Sequence, residues 1–374
     1  MSVLYIQSFV LIAYAICSLV IPLKISSKGK ILVLLAVLVC GFKYVVYGMT
    51  GGILEPKLPP YVVVTLESLF ASLLLGVVLL IVKDIVALIL FVLRKADILF
   101  CHIPQNKAAV IVSVIALSLG FYGTFTQYVT PKVQTLEVEI KNLPHEFDGF
   151  RIVQLTDIHV GPILKQDYVQ RITDKTNMLH PDLVAITGDF VDGSAANLAK
   201  EFEPLKDLQA PFGVYAVTGN HEYYSGAKEW MDALSQLNIR FLNNENDIIT
   251  KNGAKLAVAG IPDPRAENFG FEKPDHKKAL AGLPDIPRIM LAHEPAVANE
   301  HPKADLLLSG HTHGGTMFFL KPLIARFNGG FVSGKYQLGD LTLYVSNGSG
   351  IWSGFSCRVG VDSEITLFIL KKAN

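Results

Sequence analysis

Apolar residues crowd the first third of this chain and then give way to short apolar runs, each ending in a polar cluster. Four long stretches, Val3 to Leu23, Ile31 to Tyr47, Val62 to Val82 and Ala108 to Phe125, approach the ~20 residues that carry a helix across ~30 Å of hydrocarbon. They predict a transmembrane anchor of about four helices over residues 1–130. The third stretch continues past Lys83 and Asp84 into Ile85 to Leu93, which predicts a long tilted helix or one leaving along the bilayer surface.

From residue 131 to 374 the runs shorten to strand length. Arg151–Thr156, Leu183–Thr187, Gly213–Thr218, Lys255–Ile261, Arg288–Ala292 and Ala304–Leu308 read as buried strands. Helical segments at Lys165–Leu179 and Lys228–Leu237 separate the early ones, and a first strand is expected near Thr135. Leu341–Ser346 and Glu364–Leu370 follow without a helix between them, so the second half should be rich in β structure. The expected class is α/β: one domain of ~245 residues, with two sheets packed as a sandwich and helices outside.

Composition sharpens the division. The chain is 51% hydrophobic, with a mean hydropathy of +0.39, too apolar for an ordinary soluble enzyme. Its zero net charge conceals nine Lys and Arg against four Asp and Glu in residues 1–130, leaving 24 against 29 beyond. An acidic globular half argues against a nucleic-acid partner. Lys24, Lys28 and Lys30 follow the first apolar stretch, and Lys83, Arg94, Lys95 and Lys107 precede the last, while the middle loop offers Lys57 beside Glu55. Basic loops stay cytoplasmic, so both the N-terminus and the globular domain are expected outside the cytoplasmic membrane. No basic residue precedes the first stretch and no small-x-small site follows it, which favours a retained helix over a cleaved signal peptide. Cys17, Cys40, Cys101 and Cys357 suggest neither a disulfide framework nor a thiolate metal site.

The polar clusters carry the chemistry. Asp157 and His159 follow one strand, Asp189 and Asp192 the next, and Asn220 and His221 the third; His293 follows a later strand, and His311 and His313 the one after it. All stand at carboxyl ends of strands, where loops converge in open α/β sheets. Oxygen and imidazole donors without thiolate suit two first-row divalent ions such as Mn, Fe or Zn side by side. Gly188, Gly219, Gly310, Gly314 and Gly315 permit tight turns and close backbone approach.

In this order, Asp157-x-His159, Gly188-Asp189-x-x-Asp192, Gly219-Asn220-His221-Glu222, His293 and Gly310-His311-x-His313 resemble the five-motif signature of the calcineurin-like metallophosphoesterases. The wording around Gly149–Asp157 and Thr218–Tyr224 is similar to the membrane-associated bacterial branch of that family. The resemblance implies one ion on Asp157, His159 and His313, a second on Asn220, His293 and His311, and a bridging Asp189. It also implies a catalytic His221 facing the phosphate and a second-sphere Asp192, with hydrolysis by a metal-bound hydroxide. Glu222 stands where the family often has aspartate, which leaves the ligand set intact.

The other residues carry plainer readings. His102, His145, His180 and His301 lack partners at ligand spacing and read as surface or capping residues. Glu67 and Asp84 are intramembrane acids whose placement the sequence leaves open. Tyr223, Tyr224, Phe318, Phe319, Trp352 and Phe355 lie near site loops, mostly as packing, and support a lipid-linked phosphate or phospholipid substrate. A catalytically silent scaffold on the same fold is the alternative to a membrane-anchored phosphoesterase. A transporter is the weaker third reading, since few buried charges offer a pathway.

Overall fold

The computed structural model describes residues 2–373, in two compact units: Met1–Thr126 with Ser353–Cys357, and Gln127–Trp352 with Arg358–Asn374.

The first unit is helical. Its helices are α1 (Ser2–Ala15, continued by a π-helical turn at Ile16–Val20), α2 (Ser27–Gly41), α3 (Lys43–Met49), α4 (Pro60–Lys95) and α5 (Gln105–Phe125). Among the described residues, three helices are long and apolar enough to cross a membrane, or four if α2 and α3, bent by 54°, form one broken span. The third apolar stretch and its extension are one continuous helix, α4. At 36 residues it runs about 54 Å, well beyond a ~30 Å hydrocarbon core. Pro60 starts it at a position where the missing N–H costs nothing.

Both intramembrane acids are partnered. Lys43, at the break between α2 and α3, is fully buried and lies 3.0 Å from Glu67. Tyr47 donates to the other carboxylate oxygen at 2.8 Å. The same pair grips the segment Ser353–Cys357. Lys43 Nζ and the Tyr44 hydroxyl donate to the Gly354 carbonyl at 2.7 and 2.9 Å, and Ser356 N–H donates to Glu67 at 3.0 Å. A buried ion pair persists only when its remaining polar valences are met, and here backbone groups meet them. Asp84 accepts from Tyr14 and Ser18 and lies 3.0 Å from Lys83.

The second unit holds two six-stranded sheets. Its strands are β1 (Lys132–Ile140), β2 (Arg151–Leu155), β3 (Leu183–Thr187), β4 (Val214–Val217), β5 (Ile239–Phe241), β6 (Glu245–Lys251), β7 (Ala254–Gly260), β8 (Arg288–Leu291), β9 (Leu306–Ser309), β10 (Gly334–Leu338), β11 (Leu341–Val345) and β12 (Glu364–Lys372). The first sheet runs β1-β12-β2-β3-β4-β5 and the second β10-β11-β9-β8-β7-β6. Strands β2 to β5 are parallel, as are β7, β8, β9 and β11. Helices are α6 (Gln166–Asn177), α7 (Ala195–Leu198), α8 (Asn220–Ser225), α9 (Ala227–Ser235), α10 (His276–Ala279) and α11 (Lys321–Phe327).

Period-two alternation builds three layers of core. Along β2, Ile152 joins Phe150, Val258, Ile289 and Leu306 between the sheets. Its neighbours Val153 and Leu155 join Tyr168, Ile172 and Trp230 under α6 and α9. On the far side of the second sheet, Met290 and Leu307 pack with Ala279 and Ala298. Strands covered on both faces must be apolar throughout, which is why β3, β4, β8 and β9 appear as unbroken apolar runs. The sandwich with outer helices expected from the sequence is the fold observed, and the parallel strands of both sheets deliver their carboxyl-end loops to the site.

Candidate metal centre

Strand β2 hands over to Asp157 and His159, β3 to Asp189 and Asp192, and β4 to Asn220 and His221 at the start of α8. From the second sheet, β8 supplies His293 and β9 supplies His311 and His313. Asp157, His159, Asp189, Asp192, Asn220, His221, His293 and His313 are buried, and His311 is half-buried.

The ring nitrogens and carboxylate oxygens fall into overlapping groups: Asp157, His159 and His313; Asp189, His293 and His311; and His159, Asp189 and His221. His159 Nε2 lies 3.2 Å from His313 Nε2, and each lies under 4 Å from Asp157 Oδ1. In the second group His293 Nε2 is 3.2 Å from His311 Nδ1 and 3.2 Å from Asp189 Oδ2. The same Asp189 oxygen is 3.6 Å from His159 Nε2, so this carboxylate stands between the second group and a member of the first. His221 Nε2 lies 4.0 Å from it.

The residues fit two divalent cations. Paired ring nitrogens 3.2 Å apart between carboxylates are donor atoms converging on common points, as a shared cation requires. Asn220 Oδ1 is buried without any hydrogen-bond partner, and such an orphan acceptor is costly unless something cationic completes it. The set holds hard oxygens and borderline imidazoles only, donors suited to divalent cations.

Outer contacts set the tautomers. One Asp192 oxygen lies 3.0 Å from His159 Nδ1 and 2.7 Å from His221 Nδ1. A carboxylate only accepts, so both rings carry Nδ1–H and turn Nε2 inward. His293 Nδ1 donates to the Thr187 carbonyl at 2.7 Å with the same result. Burial opposes charge on His159, but Asp192, Asp157 and Asp189 outweigh it and push its pKa up to about 10. Burial drives His313 down to about 3, with His159 and Arg358 adding repulsion. Burial would raise Asp189, yet His293, His221 and His159 hold it well below the usual carboxylate range.

The backbone pays for the convergence. Asp157, His159, Asp189, His311 and His313 all adopt left-handed φ, between +50° and +70°. Such residues cost roughly 1–3 kcal/mol each and gather at functional sites, and Asp and His tolerate the conformation better than most. Glycine is mandatory at two contacts. A Cβ on Gly219 would come within 2.2 Å of Asp189 Oδ1, and one on Gly310 within 2.3 Å of Asp157 Oδ2.

Three residues take part in the site in ways the sequence does not reveal. Glu222, read as a tolerated replacement, accepts Gly219 N–H and Asp189 N–H on one oxygen, at 2.6 and 3.0 Å, and Phe190 N–H on the other at 2.7 Å. It therefore clamps the loop bearing Asp189 against the loop bearing Asn220. Arg358 is buried and donates to the carbonyls of His313, Asn347 and Gly350. Asp263, beyond β7, accepts from Arg265 N–H. Burial, aided by Glu294 and Asp189, pushes its pKa up to about 7 against the pull of His293. Glu222 had a signal in its place beside Asn220-His221; Arg358 and Asp263 stand in no recognisable motif. His102, His145, His180 and His301 are exposed. Trp352 and Tyr224 each set a ring 5.6 Å from the His221 imidazole, whereas Phe355 packs on Phe70 in the helical unit.

A model of the calcineurin-like phosphoesterase family matches residues 150–315. A transmembrane protein with metallophosphoesterase domain from Bos taurus is 37% identical over 275 residues, covering 70% of this chain and 62% of that protein. An uncharacterized metallophosphoesterase of Campylobacter jejuni is 35% identical over 293 residues, covering 77% of this chain and 76% of that protein. One from Bacillus subtilis is 33% identical over 271 residues, covering 68% and 91% respectively. The chain spans less than two thirds of the length of the bovine relative and of a similar Danio rerio protein. Animal and bacterial relatives match to a similar degree, so the likeness does not single out a bacterial branch.

Proposed function

Since the chain belongs to the calcineurin-like metallophosphoesterases and keeps the His/Asp residues that bind metal, we propose that it is a membrane-anchored binuclear phosphoesterase acting on a lipid-linked phosphate ester. The observation that carries the reading is the shared Asp189 carboxylate between two donor groups, beside the orphan Asn220 Oδ1. Asp157, His159 and His313 would hold one ion, Asn220, His293 and His311 the other, and Asp189 both, with Mn, Fe or Zn as the candidates. When bound, two such ions supply an acidified water and a positive seat for phosphoryl oxygens.

The chain's own groups do the rest. Asp192 accepts the hydrogen bond of His221 Nδ1–H, so Nε2 faces the site, and the doubly protonated ring would deliver its Nε2 proton to the leaving oxygen. Asp192 holds the His159 ring through the same oxygen, which ties the acid's orientation to that of a ligand. Glu222 keeps the Asp189 and Asn220 loops in register. Two carboxylates among seven ligand side chains leave positive charge over when two dications bind, as an anionic substrate needs.

Membrane attachment is supported by the apolar helices of the first unit and by the transmembrane relatives. The basic loops support an extracytoplasmic catalytic domain. Trp352 and Tyr224 beside His221 support an apolar leaving group. In mixed vesicles the full chain should therefore turn over phosphatidate with a kcat/KM at least about tenfold above that for p-nitrophenyl phosphate, and Trp352→Ser should narrow that gap. A ratio near one, unchanged by Trp352→Ser, would refute lipid recognition at this loop. An impermeant maleimide should label Met178→Cys in intact cells; protection of that exposed position would refute the orientation.

A further inference from the structure

Immediately after His313 the chain makes an excursion that the site does not use. Its ends are pinned. Met317 is fully buried and bridges Val359. Phe318 N–H donates to the Val359 carbonyl at 3.0 Å. On the return, the Thr312 hydroxyl donates to the Val332 carbonyl at 2.7 Å, and Asn299 donates to the Gly329 carbonyl at 3.0 Å. Between these points lies α11, a short helix on which Leu323, Arg326 and Phe327 are exposed.

Phe318, Leu323 and Phe327 are 61%, 52% and 76% exposed in the whole chain. A pinned loop has no need to display three large apolar side chains to water, and a cluster of them marks a surface that meets an apolar phase or partner. The charge pattern separates these choices. From Gly310 to Gly339 the sequence has no Asp or Glu but contains Lys321, Arg326 and Lys335, within a domain where acids outnumber bases. Aromatic and aliphatic tips flanked by cations are the composition of segments that settle at the headgroup boundary of anionic bilayers.

The chain carries its own apolar helices on a short tether. Six residues, 126–131, separate the end of α5 from the start of β1, at most about 25 Å of extended chain. The excursion also shares its anchor segment with the site, because Val359 follows Arg358, which grips the His313 carbonyl.

We infer that residues 318–327 form a wedge that inserts Phe318, Leu323 and Phe327 into the headgroup region of an anionic bilayer, beside the loop that carries His311 and His313. The inference deepens the lipid-linked reading of the site by naming the element that meets the lipid phase. The partner is the lipid surface itself, with Lys321 and Arg326 facing its phosphates.

The test uses the full chain reconstituted into vesicles containing anionic phospholipid. In a background with Cys17, Cys40, Cys101 and Cys357 replaced by Ala, a fluorophore is placed at Phe327→Cys and, as control, at Met178→Cys, which is 70% exposed. Shallow spin-labelled lipids should quench the label at 327 at least about threefold more than the label at 178, and less so in neutral vesicles. Equal quenching at both positions overturns the wedge. This readout needs no catalysis, so it decides the wedge even if the proposed hydrolysis fails. In active protein, Phe318→Ser/Leu323→Ser/Phe327→Ser should lower turnover of vesicle-borne phosphatidate about tenfold while leaving soluble p-nitrophenyl phosphate turnover unchanged. Equal loss on both substrates would show a packing role and overturn the inference.

Discussion

Asp189→Asn should lower phosphate-ester turnover by roughly 10³-fold or more and reduce bound metal below two ions per chain, with little change in melting temperature. The size of the loss follows from sharing. The Asp189 Oδ2 atom is 3.2 Å from His293 and 3.6 Å from His159, so removing one charge weakens both donor groups at once. The fold survives because the amide keeps the shape and can still accept the His221 N–H that Asp189 Oδ1 accepts at 2.9 Å. Relief of anion crowding also offsets part of the lost stability, since Glu222 and Asp157 both sense the Asp189 charge. Metal analysis, turnover and thermal melts on one preparation check all three parts. Near-normal turnover with two ions bound would remove Asp189 from the shared position.

His221→Ala should cost about 10²–10⁴-fold in kcat while both ions remain bound. Its Nε2 is 4.0 Å from Asp189 Oδ2, farther than those of His293 at 3.2 Å and His159 at 3.6 Å. Its Nδ1 is fixed by Asp192 at 2.7 Å. That geometry suits a proton donor better than a ligand, although His221 closes one of the three donor groups. The two roles differ in signature. A proton donor matters most for poor leaving groups, so the loss should be larger for an alkyl phosphate than for p-nitrophenyl phosphate. Equal loss on both, together with one missing ion, would make His221 a ligand instead.

Most of the fold was legible because the strands that position the site are buried on both faces. Leu183–Thr187 was read to the residue, and β2, β4, β8 and β9 to within about two. The strands that escaped were β5, β6 and β10, and β1 was anticipated only as a strand near Thr135. These four are the edges of the two sheets. Edge strands face solvent and carry polar residues, as in Glu245-Asn246-Asp247 of β6, so they lack the apolar run that betrays an interior strand. In the helical unit, the apolar count could not show that the second stretch breaks at Phe42, nor that Lys43 within it pairs with Glu67.

The donor residues of the site were legible for a different reason. The Asp, Asn and His side chains that the structure gathers there are polar donors, and such residues stand out where apolar runs stop. Support for them is less visible. The left-handed φ at Asp157 and His313 depends on how two sheets bring their loops together, which no local pattern encodes. Arg358 works through carbonyls, and any sequence can supply those.

The most direct test is metal titration of the full detergent-purified chain after chelation, following hydrolysis of p-nitrophenyl phosphate, a diester and phosphatidate as Mn or Zn is restored. Turnover that appears only as occupancy approaches two ions per chain is the expected result. Two tightly bound ions with no hydrolysis of any of these esters would contradict it and leave a metal-holding scaffold, and hydrolysis that survives full chelation would contradict it outright.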